Sequence, residues 1–281
     1  SNYKYKLLVD NNKPVDNYIV NGTIDTLTDD VHLNINDSVY ISVKDDIKIK
    51  ANDIGINRDA ILNILDDEKM TKGSRNNSKV SFKSTNCYIF FSKERRAISD
   101  KLDLQYFNKL LTAQLTHKKG SAYFKLLDVN FHLYGEKFGD KFMENLFAVS
   151  RFRGGTLEFS IDGTSKEYIG SIYAKKTTIR NYRVLNNILA FVNTIPSLVT
   201  FSLPGYNSKG LKADSAYMNF SFKNDVYTIH DISLHSKEID ILGKGKASVK
   251  KNTIDLHLNL KTDLGSSLSK VPVVGYILFG D

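Results

Sequence analysis

The sequence predicts a mainly β protein, α+β at most, built on a long, strongly curved antiparallel sheet with a helix packed at or across one end. Three observations carry this. Apolar and polar residues alternate in run after run, turn-forming residues separate the runs at short intervals, and only three segments switch to helical period.

Taken in order, Leu33, Ile35, Val39, Ile41 and Val43 alternate with Asn34, Asn36, Ser38 and Ser42, interrupted at Asp37, and the pattern resumes at Ile47, Ile49 and Ala51. A period of two places one residue set on each face, so these runs are half-buried strands. Asn57 is a predicted cap for a short helix from Arg58 to Leu65. The stretch from Asp66 to Ser78 has no periodicity and is expected to divide an N-terminal segment, 1–78, from a longer region, 79–281, with the sheet continuous across both.

Alternation returns in Val129, Phe131 and Leu133, and Phe138, Phe142, Leu146 and Val149 then mark one face of a second helix. Strands follow at Leu157, Phe159 and Ile161, at Met218, Phe220 and Phe222, and most cleanly at Ile254, Leu256, Leu258 and Leu260. Asn21-Gly22, Asp162-Gly163, Lys223-Asn224-Asp225 and Lys250-Lys251-Asn252 punctuate the runs, as a meander of hairpins requires. Gly22 precedes the strand beginning at Val31 by the same nine residues that separate Gly245 from Ile254, an echo expected of a repeated unit or of chance among similar strands.

The third helical segment differs from the others. No charge occurs from Val184 to Ser208, and Ile188, Leu189, Val192 and Ile195, with Phe191 beside them, form an apolar stretch that Pro196 ends. Asn186, Asn187 and Asn193 keep it from spanning a membrane. It is either a core helix on the sheet or an element that contacts lipid at the end of a groove.

With 281 residues, 41% of them apolar, the chain can bury a sizeable core. A single cysteine, Cys87, excludes an internal disulfide framework, and no Cys/His spacing suits zinc. No run reaches the ~18 apolar residues of a membrane-spanning helix. Nucleophilic catalysis lacks its motifs: there is no Gly-x-Ser-x-Gly elbow, and Cys87 lies in a strand-like run without an evident base. His32, His132 and His257 occupy polar slots of strands, so no metal site or cofactor is expected, and the chain reads as a non-enzyme. Nucleic acid is not expected as a partner, since 31 Lys against eight Arg and aromatics held within alternating runs do not make a base-stacking surface.

Charge is unevenly placed. Residues 1–70 hold eight basic and 13 acidic side chains, whereas the remainder holds 31 and 18. Lys175, Lys176, Arg180 and Arg183, just before the uncharged segment, are candidates for lipid headgroup contact, the other reading being a solvated face. Ser1-Asn2 in place of an initiating Met, and an apolar run that closes the chain, lead us to expect an excised fragment.

Gly154-Gly155-Thr156-Leu157-Glu158-Phe159, Tyr168-Ile169-Gly170 and Asn186-Asn187-Ile188-Leu189-Ala190-Phe191 follow one another in the C-terminal half. After them come Gly210-Leu211, Gly243-Lys244-Gly245 and the closing Leu268-Ser269-Lys270-Val271-Pro272-Val273-Val274-Gly275-Tyr276. This succession resembles the AsmA-like C-terminal domain of AsmA/TamB/YhdP-type bacterial envelope proteins, over about residues 130 to 281. The resemblance implies a periplasmic protein anchored in the inner membrane by a segment absent from this fragment. Its β-sheet would curl into an open hydrophobic groove carrying phospholipid, or another envelope lipid, toward the outer membrane; no catalytic residues come with it.

The candidate groove residues are Met218, Phe220, Phe222, Ile254, Leu256, Leu258 and Leu260, whose shared interior is either an open groove or a closed core. Burying ~16 methylenes at roughly 0.8 kcal/mol each contributes on the order of 12 kcal/mol before ordering costs, against about 0–1 kcal/mol for an exposed charge pair. An apolar wall would therefore hold the ligand. The alternative function is an envelope assembly scaffold that binds a protein partner through open sheet edges.

Overall fold

The computed structural model describes residues 6–10, 13–60, 78–147, 152–179, 211–237, 239–248, 250–251, 253–262 and 269–276. The chain divides into two compact units, Ser1–Asp128 with Asn145–Ala148, and Val129–Glu144 with Val149–Asp281. The chain is mostly β, and among the described residues the strands of each unit form open, curved sheet.

The first unit contains β1 (Leu8–Asp10), β2 (Lys13–Pro14), β3 (Val20–Asp25), β4 (Asp30–Ile35), β5 (Val39–Val43), β6 (Ile47–Asn52) and β7 (Gly55–Asn57). Four longer strands follow: β8 (Val80–Phe90), β9 (Arg96–Phe107), β10 (Leu110–His117) and β11 (Gly120–Leu127). β3 to β6 and β8 to β11 are antiparallel meanders, as the alternation predicts. Two pairings depart from that pattern: β6 and β7 both run parallel to β8, along its first and second halves. A parallel pair needs a crossover of a dozen or more residues, and the stretch between β7 and β8 supplies it. That stretch opens in helix at Arg58, where the Asn57 side chain accepts a hydrogen bond from the Asp59 amide (3.1 Å), the capping contact read from the sequence. The subdomain boundary expected at 66–78 falls almost wholly outside the described residues.

Register makes the unit two-faced. Gly22, Leu33, Ile41, Ile49, Phe82 and Leu104 stand side by side across six strands, while Asn21, Asn34, Tyr40, Lys50, Lys83 and Asp103 form the matching row on the other face. Cys87 is buried, with its Sγ 2.9 Å from the hydroxyls of both Ser84 and Ser99. Burial pushes its thiol pKa up.

The second unit is a meander of β12 (Asn130–Phe138), β14 (Thr156–Thr164), β15 (Glu167–Ile179), β16 (Leu211–Lys223), β17 (Val226–Ser236), β18 (Ile239–Ser248), β19 (Thr253–Thr262) and β20 (Ser269–Tyr276). The two-residue β13 (Phe152–Arg153) pairs with the far end of β15. Between β12 and β14 runs α1 (Asp140–Phe147). The sequence places Phe138 on that helix; it ends β12 instead, and its ring stacks on Phe142 of α1 at 3.8 Å. The predicted helix at 184–195, with Ile188, Leu189, Phe191, Val192 and Ile195, lies outside the described residues.

Candidate functional site

Reading the registers across β15 to β19 gives four consecutive rows on one face of the second unit. The first is Tyr168, Phe222, Tyr227, Ala247 and Ile254; the second Gly170, Phe220, Ile229, Gly245 and Leu256. The third is Ile172, Met218, Ile232, Gly243 and Leu258; the fourth Ala174, Ala216, Leu234, Ile241 and Leu260. The rows continue through Gly163, Ile161, Phe159 and Leu157 on β14 to Phe131, Leu133, Gly135 and Phe138 on β12. All seven groove candidates fall in these rows, so the registers bring them to one apolar face. A bulge in β17, where the ladder shifts between Ile229 and Ile232, keeps both isoleucines on that face despite their odd spacing.

The opposite face carries the polar set. Its histidines pair with aspartates, His132 with Asp162 across β12 and β14, His235 with Asp240 across β17 and β18, and His257 with Asp255 along β19 at 3.6 Å. His230 Nε2 lies 2.9 Å from the Ser221 hydroxyl. His132, His230 and His235 are hydrogen-bonded surface histidines, His257 is an exposed one beside its aspartate, and no group of three metal-ligating side chains occurs among the described residues.

Glycines explain how large side chains are buried on a face that no second sheet covers among the described residues of this unit. A Cβ on Gly170 would stand 2.6 Å from Cζ of Phe220, and one on Gly245 would stand 2.8 Å from Cδ2 of Leu256. Phe159 likewise lies over Gly135, and Leu258 leans over Gly243 toward Ile232. Each large side chain occupies the space its glycine neighbour leaves, and Leu258 is 4% and Phe220 6% exposed. Met218, Phe222, Ile172 and Ile232 stay half-buried between them, so the wall presents apolar surface rather than a sealed core.

The two ends of the face differ. At the fourth row Phe138 and Leu157 are buried, as are Phe142 and Met143 of α1, whose Phe142 ring stacks on Phe138. At the first row, Tyr168 stacks on Phe222 (centroids 4.8 Å, 21° between planes), Tyr227 packs against Phe222 and Phe220, and the two tyrosine hydroxyls are 2.7 Å apart. Burial, followed by the bond to Tyr227, pushes the Tyr168 phenol well above its ordinary pKa. Neither tyrosine was a sequence candidate; each alternates in phase with its strand, and register alone puts them together.

Of the four proposed headgroup residues, Lys175 and Lys176 are exposed toward the end of β15. The Lys175 ammonium lies over the Tyr173 ring at 4.9 Å, and Lys176 takes a left-handed conformation (φ 50°). Arg180 and Arg183 lie outside the described residues. No helix among the described residues is long and apolar enough to cross a membrane.

The fold and this face define a class: a mainly β protein whose second unit presents a continuous apolar sheet face. The YhdP protein family matches the chain over residues 33–281, and the chain belongs to that family. Membership agrees with the AsmA/TamB/YhdP resemblance of the C-terminal motifs and points to the bacterial envelope and a lipid-transport-related role. No curated protein and no solved structure matches the chain.

Proposed function

We propose that the chain is a non-enzymatic, bridge-like phospholipid-transfer module of the periplasm, carrying acyl chains between inner and outer membranes, with the full-length protein anchored in the inner membrane. One observation carries this: four apolar rows continuous across β12 and β14 to β19, without a second sheet over them among the described residues. Rows one to four lie six residue steps apart on β15, ~20 Å along a strand and comparable to one extended acyl chain. Hydrocarbon placed there gains ~25 cal/mol for each Å² removed from water.

The test is native mass spectrometry and lipid extraction of the purified chain beside Met218→Glu, which places a charge on the half-buried wall. Co-purified phospholipid in the wild type and its loss from a folded Met218→Glu variant are the expected results. Lipid-free wild type after exposure to phospholipid vesicles would overturn the reading.

A second reading rests on β3. Among the described residues this strand pairs only with β4, it carries no Lys, Arg or Pro, and Val20 and Ile24 are 53% and 70% exposed. Such an edge offers unpaired backbone groups to an added strand. Under this reading the chain is an assembly scaffold, and a peptide strand would protect the β3 amides from hydrogen exchange while the protein stays lipid-free.

A further inference from the structure

On the apolar rows from β12 to β19, the hydroxyls of Tyr168 and Tyr227 are the only oxygen or nitrogen atoms carried by the described side chains. They sit together in the first row, 2.7 Å apart. One hydroxyl donates to the other. The accepting hydroxyl keeps its own hydrogen, for which no acceptor is found among the described residues. Both rings are fixed: Tyr168 is stacked on Phe222 and edge-on to Phe220, and Tyr227 packs against the same two phenylalanines. A donor is therefore held in place within a hydrocarbon wall, where a hydrogen bond is worth more than in water.

The surroundings grade in polarity along the strands. Rows two to four carry no side-chain oxygen or nitrogen. Beyond the first row come the hairpins β14–β15, β16–β17 and β18–β19, which carry Lys166, Lys223, Lys250 and Lys251 against two carboxylates, Glu167 and Asp225, all exposed. Lys223 is paired with Glu167 at 2.9 Å. Tyr168 lies two residues from Lys166, ~7 Å along an extended strand. Hydrocarbon, then a hydrogen-bond donor, then cations is the order of chemistry that a diacyl phosphoglyceride presents: chains, ester carbonyls, phosphate.

Resting on the acyl-carrying reading above, we infer that the Tyr168–Tyr227 hydroxyl pair reads the ester carbonyl of a diacyl phosphoglyceride, setting its ester linkage at the first row with its phosphate toward the hairpin lysines. The pair is then a specificity determinant, distinguishing acyl esters from chains without a carbonyl.

The experiment compares wild type with Tyr168→Phe/Tyr227→Phe, which removes both hydroxyls and keeps both rings. Each protein is incubated with vesicles of equimolar diacyl and dialkyl ether phosphatidylglycerol of equal chain length, and the bound lipids are quantified by mass spectrometry. Wild type is expected to enrich the ester form about five-fold, near the yield of one good hydrogen bond. The double variant is expected to take up both forms equally, the ester form losing its advantage and the ether form keeping its uptake. Should the double variant lose its β circular dichroism, the single variants Tyr168→Phe and Tyr227→Phe read the same ratio.

Equal uptake of the two lipids by wild type, or enrichment that persists without the hydroxyls, would overturn the inference while leaving the carrying face intact. Absence of uptake of either lipid by either protein would instead overturn the acyl-carrying reading itself.

Discussion

Cys87 illustrates how a reactive residue type becomes a structural one. It is 2% exposed, and burial favours its neutral thiol, outweighing the Ser84 and Ser99 hydroxyls that lie 2.9 Å from its sulfur and act the other way. Because thiolates rather than thiols react, a disulfide-exchange reagent should leave the folded protein unlabelled at neutral pH and label it once per chain in denaturant. The linkage has a definite sign. Burial raises the folded pKa above the unfolded one, so this contribution is fully present below the ordinary thiol value of about 8.5 and is lost as pH rises through the folded value. Denaturation midpoints should therefore fall on the alkaline side, and Cys87→Ala should flatten that fall.

At the scale of elements, cross-strand glycine and large side chain act as a unit. Phe220 lies where a Gly170 side chain would be, so Gly170→Ala must lift the ring out of the wall. Overpacking of this kind costs about 1–3 kcal/mol, measurable as a lower urea midpoint at unchanged slope. Phe220→Leu introduced into Gly170→Ala should recover part of the loss, because the two positions share one space. The same logic gives the echo between Gly22 and Gly245 a physical content: each pairs with a leucine, Leu33 or Leu256, whose Cδ2 would stand 2.7 or 2.8 Å from an added Cβ. The two parallel pairings of β8 belong to this scale too. Alternation is identical in parallel and antiparallel strands of this kind, so period two could not announce them.

For the whole molecule, charge is unevenly distributed along the chain. The chain carries a net +8, with the excess after residue 70, while each unit keeps its apolar rows on one face. If Lys175, Lys176, Arg180 and Arg183 meet anionic headgroups, each contributes about 1 kcal/mol near the surface, an attraction that salt screens. Flotation with vesicles of rising anionic fraction should accordingly weaken on reversing all four charges, and weaken in the wild type as salt is added. Equal, salt-independent flotation of the two proteins would assign these residues to a solvated face.

The β class, the strands β4 to β6, β12, β14, β16 and β19, the Asn57 cap and the shared face of the seven candidate residues could be read from the sequence, because each follows from a local rule: period two, turn chemistry, or a capping oxygen. The pairing of Tyr168 with Tyr227, the seating of Phe220 over Gly170, and the bulge that keeps Ile229 and Ile232 on one face could not. Each depends on which residues stand opposite one another on different strands, and alternation fixes the face of a residue without fixing its cross-strand neighbour. Tertiary structure alone set the register, and with it the one place on the apolar wall where two hydroxyls meet.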